Sequence, residues 1–442
     1  MTDRGLAPRD INNRRVLKIA LPIVLSNVAI PILGAVDTGV VGQMGEAAPI
    51  GAVGIGAVVL SAIYWIFGFL RMGTTGLAAQ ALGQGNRAEV AALLTRVLMI
   101  GFAGGALIIA LQLPILWAAF RLSPASPEVE TLARGYMQIR IWSAPAAISV
   151  FGITGWLIAQ ERTRAVLVLQ VWMNGINVLL NLWFVLGLGW GMNGVAFATF
   201  LADWSALAMG LYLCRAAFKV PDWRDWARVF DRVKLRRMAQ VNSDIMIRSL
   251  LLQVIFLSFL FLAADFGDVT LAANQVLLQF LSITSYALDG FAFSAEALVG
   301  QAVGARAVPL LRRSVWVASL WGLAASVLLA VGFWVFGNDI VAIMAKNTEV
   351  QAAAAIYLPW MVCAPVLALA SFMLDGIFIG ATRTADMRNM MALSTLVYVG
   401  AAFALVPYFG NHGLWIALLI SFVARGETLA ARYPSLERSV AR

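Results

Sequence analysis

Gln80-Ala81-Leu82-Gly83 returns as Gln301-Ala302-Val303-Gly304, 221 residues further along a chain of 442. The offset is half the chain length. It also relates Tyr136 to Tyr357, Gly155 to Gly376, and Arg162-Thr163 to Arg383-Thr384. A repeat of this length is a whole lobe copied, not one unit of a stacked array. In a chain this apolar, two like-oriented lobes predict a membrane transporter with its substrate path between them.

Hydrophobic residues make up 61% of the chain and charged ones 12%, with a mean hydropathy of +0.83. Soluble domains average roughly 45–50% and 25%, and so little charge cannot cover a water-soluble fold. Twelve mainly apolar stretches fall near 16–41, 50–79, 92–118, 132–158, 163–188, 193–215, 239–264, 270–299, 312–336, 352–380, 387–409 and 412–431. Each is long enough to cross a bilayer as a helix. Continuous apolar runs, without alternating ten-residue strands, argue against a β-barrel. The first stretch has a basic leader (Arg14, Arg15, Lys18) but no small-residue cleavage site, so it reads as an uncleaved helix. Cys214 and Cys363 lie inside stretches, which argues against a disulfide framework.

Counting basic residues near the ends of stretches with the terminus or loop that they adjoin, 26 of the 32 Lys and Arg fall in the termini and the even-numbered loops. Arg121, Arg134 and Lys346 fall in odd-numbered loops, and Arg71, Arg140 and Arg248 inside stretches. Positive charge marks the cytoplasmic side, so both termini are expected there, in a multi-pass inner-membrane protein. The expected domains are an amino lobe over 1–215, a basic linker over 216–238 and a carboxyl lobe over 239–442. In the linker, Trp223, Trp226, Phe230 and Val233 recur at helical spacing among charges. Two readings stand: an amphipathic helix on the inner leaflet, with membrane lipid as partner, or a solvated segment that fixes topology. The net charge of +9 is placed for topology, not for nucleic acid.

No phosphate-binding G-x-x-x-x-G-K-[ST] loop exists, which argues against ATP hydrolysis in this chain. The single histidine, His412, reads as an outer-loop residue, and no nucleophile–base pair or metal-ligand cluster is present. The chain is therefore not expected to be an enzyme or to carry a cofactor. An ion gradient is left as the driving force, with about 2.3 kcal/mol per charge per 100 mV and roughly 1.4 kcal/mol per proton per pH unit.

Charges inside a bilayer are costly and usually face a cavity or a partner. Asp37 lies in the first stretch with no basic neighbour in sequence, and Pro31 one to two turns earlier can hinge the helix. Apolar surroundings favour its neutral form, which makes it a candidate proton carrier. Asn174, Asn177 and Asn181 share one face of the fifth stretch. Thr199 and Asp203 in the sixth, and Tyr136 and Arg140 in the fourth, are spaced i, i+4 and are candidates to surround Asp37; the bland alternative is interhelical packing. In the second half, Asp244 and Arg248 are i, i+4 and are expected to pair. Gln253, Tyr286, Asp289 and Asp375 are substrate-cleft candidates alongside Asp37 and Asn174, and Glu296 shares a face with Asp289. Asp289 and Asp375 stand either to attract a cation or to answer Arg248.

These residues carry a resemblance to a family. Val36-Asp37-Thr38 with Gly42 and Gly45, Ala79 to Gly83 with Asn86, Asn177 to Asn181, Asn193-Gly194-Val195-Ala196 to Thr199, and Leu374-Asp375-Gly376 to Thr382-Arg383 span almost the whole chain. In this order they resemble the multidrug and toxic compound extrusion (MATE) transporters, most closely the bacterial DinF-like branch. The resemblance implies an all-α fold of twelve transmembrane helices, in two six-helix bundles around a central cleft. It implies export of organic, often cationic or amphiphilic, compounds in exchange for inward H+ or Na+. It gives Asp37 the main cation-binding role and places Asn177, Thr199 and Tyr136 in the pocket. The family often has Asp where this chain has Asn181. One fewer carboxylate weakens a Na+ site at Asp37, Asn177 and Thr199 and favours a single-proton cycle, unless Asp203 compensates.

The expected function is a proton-coupled exporter acting as a monomer. The rival is a lipid or lipid-linked sugar flippase, which should line its cleft with cations, whereas only Arg71, Arg140 and Arg248 are counted inside stretches. A channel lacks any repeated filter. A major-facilitator transporter is disfavoured because Gly83-Gln84-Gly85-Asn86-Arg87 lacks the Asp-Arg-rich loop typical there.

Overall fold

The computed structural model describes the backbone of residues 8–42, 47–122 and 126–441, and the side chains of residues 9–28, 52–121 and 126–441. The side chains of Pro31 and Asp37 therefore lie outside the described residues. The described chain is helical, without strands. The first long helix, α1, spans Asn13–Gly42. Eleven helices among the described residues are long and apolar enough to cross a bilayer: α2 (Ala52–Gly83), α3 (Arg87–Ala110), α4 (Pro127–Ala159), α5 (Thr163–Gly187), α6 (Gly191–Leu213), α7 (Arg232–Ala264), α8 (Asp268–Gly304), α9 (Val308–Met344), α10 (Thr348–Gly380), α11 (Thr384–Phe409) and α12 (Asn411–Ala441). Large apolar side chains such as Trp334, Phe403 and Leu328 are exposed on them, as a lipid-facing surface requires. The chain is a multi-span membrane protein.

Two compact units divide the chain. The amino-terminal unit holds Leu25–Ala78 and Asn86–Arg236. The carboxyl-terminal unit holds the chain up to Val24, Ala79–Gly85, and everything from Arg237 on. Within the amino-terminal unit α5 packs along α6, and α3 along the second half of α4. Gly101 lies on Ser149 and Gly105 on Pro145, and small residues of this kind let two helices approach closely. The carboxyl-terminal unit packs α8 on α10 and α11 on α12 around an aromatic core. In that core Phe259 meets Trp415 edge-on at 4.6 Å and Phe280 meets Phe333 at 4.9 Å.

The 221-residue offset reappears in backbone conformation. Gly85 and Arg306 have φ of 71° and 52°, Glu161 and Thr382 58° and 52°, Gly189 and Gly410 67° and 54°. Each pair is one turn of the repeat. Arg162 N donates to Leu157 O at 2.9 Å, and Arg383 N donates to Phe378 O at 3.0 Å. Left-handed backbone costs a non-glycine residue about 1–2 kcal/mol. Glu161, Arg306 and Thr382 are the described non-glycine residues that adopt it, all at copied corners. Packing follows the same rule: Gly155 lies against the Arg71 carbonyl and Gly376 against that of Ala292, again one repeat apart.

Three local expectations change. The third stretch is not one helix: α3 stops at Leu111, and a separate helix, Gln112–Leu122, follows. The linker forms no long amphipathic helix. Two short 3-10 turns and a four-residue helix, Trp226–Val229, precede α7. Pro221 opens one of those turns and Asp225 caps the short helix. Asp231 then accepts from the N–H groups of Val233 (2.9 Å) and Lys234 (3.2 Å). Those bonds, Lys234's foremost, hold its carboxyl below the ordinary carboxylate range. Arg96 is buried inside α3, where it donates to the carbonyls of Val229 and Arg228 and pairs with Glu89 at 2.7 Å. His412 is not a loop residue but lies in the first turn of α12, where its Nδ1 accepts from Trp360 Nε1 at 3.0 Å. Both cysteines are free.

Candidate functional site

In the amino-terminal unit, helix periodicity brings Asn177 and Asn181 to one buried face of α5, opposite Thr199 of α6. Asn181 Nδ2 donates to Asn177 Oδ1 at 2.9 Å. Asn177 Nδ2 donates to Thr199 Oγ1 at 2.9 Å, and that hydroxyl donates to the Val195 carbonyl at 3.1 Å. The three side chains form a directed chain across two helices. Asn177 Oδ1 and Thr199 Oγ1 each retain an acceptor lone pair. Immediately after Asn181 the helix widens to π winding over Leu182–Gly187, a departure common at functional sites. Asn174, one turn earlier, is half-buried, and its Nδ2 is buried without a hydrogen-bond partner among the described residues.

Asp203, one turn beyond Thr199, faces another cation. Arg140 Nη2 lies 3.9 Å from Asp203 Oδ2, and the same guanidinium lies 6.0 Å from the Tyr136 ring centroid. α4 breaks here into a 3-10 turn, Ile141–Ser143, just before Pro145. Proline cannot donate to the carbonyl four residues back, and the tightened turn takes the Arg140 carbonyl out of the α-helical ladder. That carbonyl accepts instead from Tyr64 Oη at 3.1 Å and Ser143 Oγ at 2.8 Å. Tyr136, Arg140, Tyr64 and Asp203 thus form a second polar group beside the amide chain.

The carboxyl-terminal unit is built differently. Arg248 of α7 pairs through Nη2 with Asp375 Oδ2 of α10. Arg425 Nε of α12 lies 3.7 Å from that same oxygen. Arg425 Nη2 donates to Ser371 Oγ at 2.9 Å. All four residues are buried. The expected Asp244–Arg248 pair does not form. Arg388 reaches Asp244 from α11 at 2.6 Å and Thr384 Oγ1 donates to it at 3.0 Å, so Asp244 is answered at the helix end and Arg248 is left to Asp375.

The MatE family profile matches residues 22–183 and 245–404, once in each half of the chain. The chain belongs to the MatE family. It is 39% identical to the DNA damage-inducible protein F of Escherichia coli over 95% of this chain and 92% of that one. It is 26% identical to a probable multidrug resistance protein NorM of Xanthomonas campestris, over 95% and 93%. The crystal structure of the Vibrio cholerae MATE transporter VcmN in its bent form superposes with a TM-score of 0.88 at 20% identity, covering 98% of both chains. The MatE fold is therefore shared throughout.

Of the site residues expected in this MatE chain, Asn177, Asn181 and Thr199 come together, and Tyr136 and Asp203 meet at Arg140. Tyr286 and Asp289 are half-buried on α8, Glu296 is buried on that helix, and Gln253 is exposed on α7. Asp375 does not offer a free carboxylate to a cation, because two guanidiniums already face it. Sequence reasoning missed Arg425, which is counted with the carboxyl-terminal charges. Its position inside the stretch 412–431 was the signal. It also missed Ser371 and Tyr64, whose roles depend on contacts between helices.

Proposed function

We propose that this chain exports organic, often cationic, compounds in exchange for an inward-moving cation, with H+ preferred to Na+. The observation that carries the reading is the buried Asn181–Asn177–Thr199 chain in a MatE-family protein with relatives named as multidrug resistance proteins. Asp37 supplies the titrating carboxyl in this reading. The 221-residue offset supports that assignment. It relates Asp37 to Ser258 and Asn177 to Tyr398, and in the carboxyl-terminal unit Ser258 and Tyr398 are neighbours.

Ionised Asp37 favours a cationic compound arriving from the cytoplasm or inner leaflet. Protonation from outside removes that attraction, the compound leaves, and the protonated carrier turns inward and loses its proton. Pro31 is the hinge. The two states must bind the compound unequally for the gradient to drive anything. The donor set favours H+: Asn177 and Thr199 offer neutral oxygens, and Asp203 faces Arg140. A Na+ ion would have a single carboxylate, Asp37, as anionic ligand, where hard cations prefer several oxygen ligands. The distribution of Lys and Arg supports a cytoplasmic-membrane location with both termini inside. The coupling ion is the only cofactor this reading needs, and a monomer suffices.

The test is dye efflux from proteoliposomes under imposed pH and Na+ gradients. Wild type should respond to the pH gradient. Asp37→Asn should lose efflux yet remain folded in the membrane. Normal efflux by Asp37→Asn overturns the assignment, and efflux driven by Na+ alone overturns the choice of ion.

A further inference from the structure

Two guanidiniums share one carboxylate oxygen in the carboxyl-terminal unit, so the group carries a surplus positive charge. Among the described residues, Asp375 is the carboxylate within ion-pair distance of Arg248 and of Arg425. The side chains of Arg248, Asp375 and Arg425 are only 8%, 10% and 4% exposed. The Nε atoms of Arg248 and Arg425 are buried without a hydrogen-bond partner among the described residues. Among the described residues, Arg425 Nη1 reaches only the Met391 sulfur, at 3.9 Å. Ser371 already donates to the Ala368 carbonyl at 2.7 Å while accepting from Arg425. A buried ion without a counter-charge costs several kcal/mol, and buried donors left unmade add to that. Such a group persists where something negative completes it. Guanidinium forks match the oxygens of carboxylates and phosphates. Phe422 and Phe372, with centroids 5.4 and 5.9 Å from the Arg425 guanidinium, hold it and give the site an apolar flank.

We propose that Arg248 and Arg425, sharing Asp375, form an oxyanion-binding site that takes the carboxylate or phosphate of an amphiphilic compound. The site stands on the geometry of one unit. Its meaning for transport rests on the export reading, where it extends the substrate class to zwitterions and acids.

The test is binding, so it is independent of efflux. The full chain in phosphatidylcholine nanodiscs is titrated with a rhodamine bearing a free carboxylate and with its methyl ester, read by fluorescence anisotropy. In parallel, inorganic phosphate is titrated against the thermal unfolding midpoint. Wild type should bind the acid at least about tenfold tighter than the ester, equivalent to ~1.4 kcal/mol, or show a phosphate-dependent rise in midpoint. Arg425→Met should abolish both effects. That variant leaves a neutral Arg248–Asp375 pair, so it removes the surplus charge without stranding a partner. Asp375→Asn removes the internal competitor and should tighten phosphate binding. Competition arms distinguish the sources: displacement of the acid dye by phosphate identifies a free anion, and displacement only by phosphatidylglycerol in the disc identifies a lipid headgroup. The proposal is overturned if wild type shows neither the dye preference nor the phosphate effect, or if either survives Arg425→Met. If the efflux test fails while this binding holds, the site remains and the export reading falls.

Discussion

The two units share corners and close helix contacts but not interiors. The amino-terminal unit links Asn177, Asn181 and Thr199 through neutral hydrogen bonds and sets one carboxylate, Asp203, against Arg140. The carboxyl-terminal unit has Tyr398, Ala402 and Ile420 at the three matching positions of the amide chain. Its own buried charges, Arg248, Asp375 and Arg425, match Asn27, Thr154 and Trp204 in the first copy. The repeat gives both copies one frame, and each carries separate chemistry within it. The backbone tolerates such divergence because it is held by left-handed turns and by glycines against carbonyls, which do not depend on what the polar side chains do.

The largest effect should come from the unbalanced charge. Asp375→Asn strands two buried guanidiniums and should cost about 3–5 kcal/mol, read as a lower thermal midpoint in detergent. An unchanged midpoint would mean that the group is open to water and that the contrast between the units is overstated. The shared frame predicts matched damage. Gly155→Val and Gly376→Val each push a side chain into a backbone carbonyl and should cost about 1–3 kcal/mol apiece. Two variants that differ several-fold would show that the copies do not rely on the same contact. The smallest effect belongs to the amide chain. Asn177→Ala removes two interhelical or intrahelical hydrogen bonds, each worth about 0.6 kcal/mol in a membrane protein. A large loss of stability there would make the chain structural and weaken the case for transport.

Much of the fold is legible in the sequence, because apolar runs of bilayer length and a half-length repeat leave few alternatives. The asparagine face of α5 is legible for the same reason, since helical spacing alone aligns its residues. The carboxyl-terminal unit misleads because i, i+4 spacing says that Asp244 and Arg248 can meet but not that Arg388, 144 residues away, reaches Asp244 first. Arg425 falls inside the stretch 412–431, but it reads as part of the charged tail that follows, because nothing in the sequence shows that the same helix continues to Ala441 or that Asp375 lies across from it. The short helix at Trp226–Val229 shows the opposite case. Periodicity allows a longer helix as one of two readings of the linker, and capping aspartates at 225 and 231 divide it.

The wide winding over Leu182–Gly187 has a mechanical consequence. It stores slack directly beyond Asn181. Returning that segment to ordinary pitch would turn the end of α5, where it leads into α6, by roughly 100° and shift it about 1.5 Å for each residue of register taken up. The end of α5 that leads into α6 thus holds spare register, while Asn177 and Asn181 sit in the α-helical turns before it.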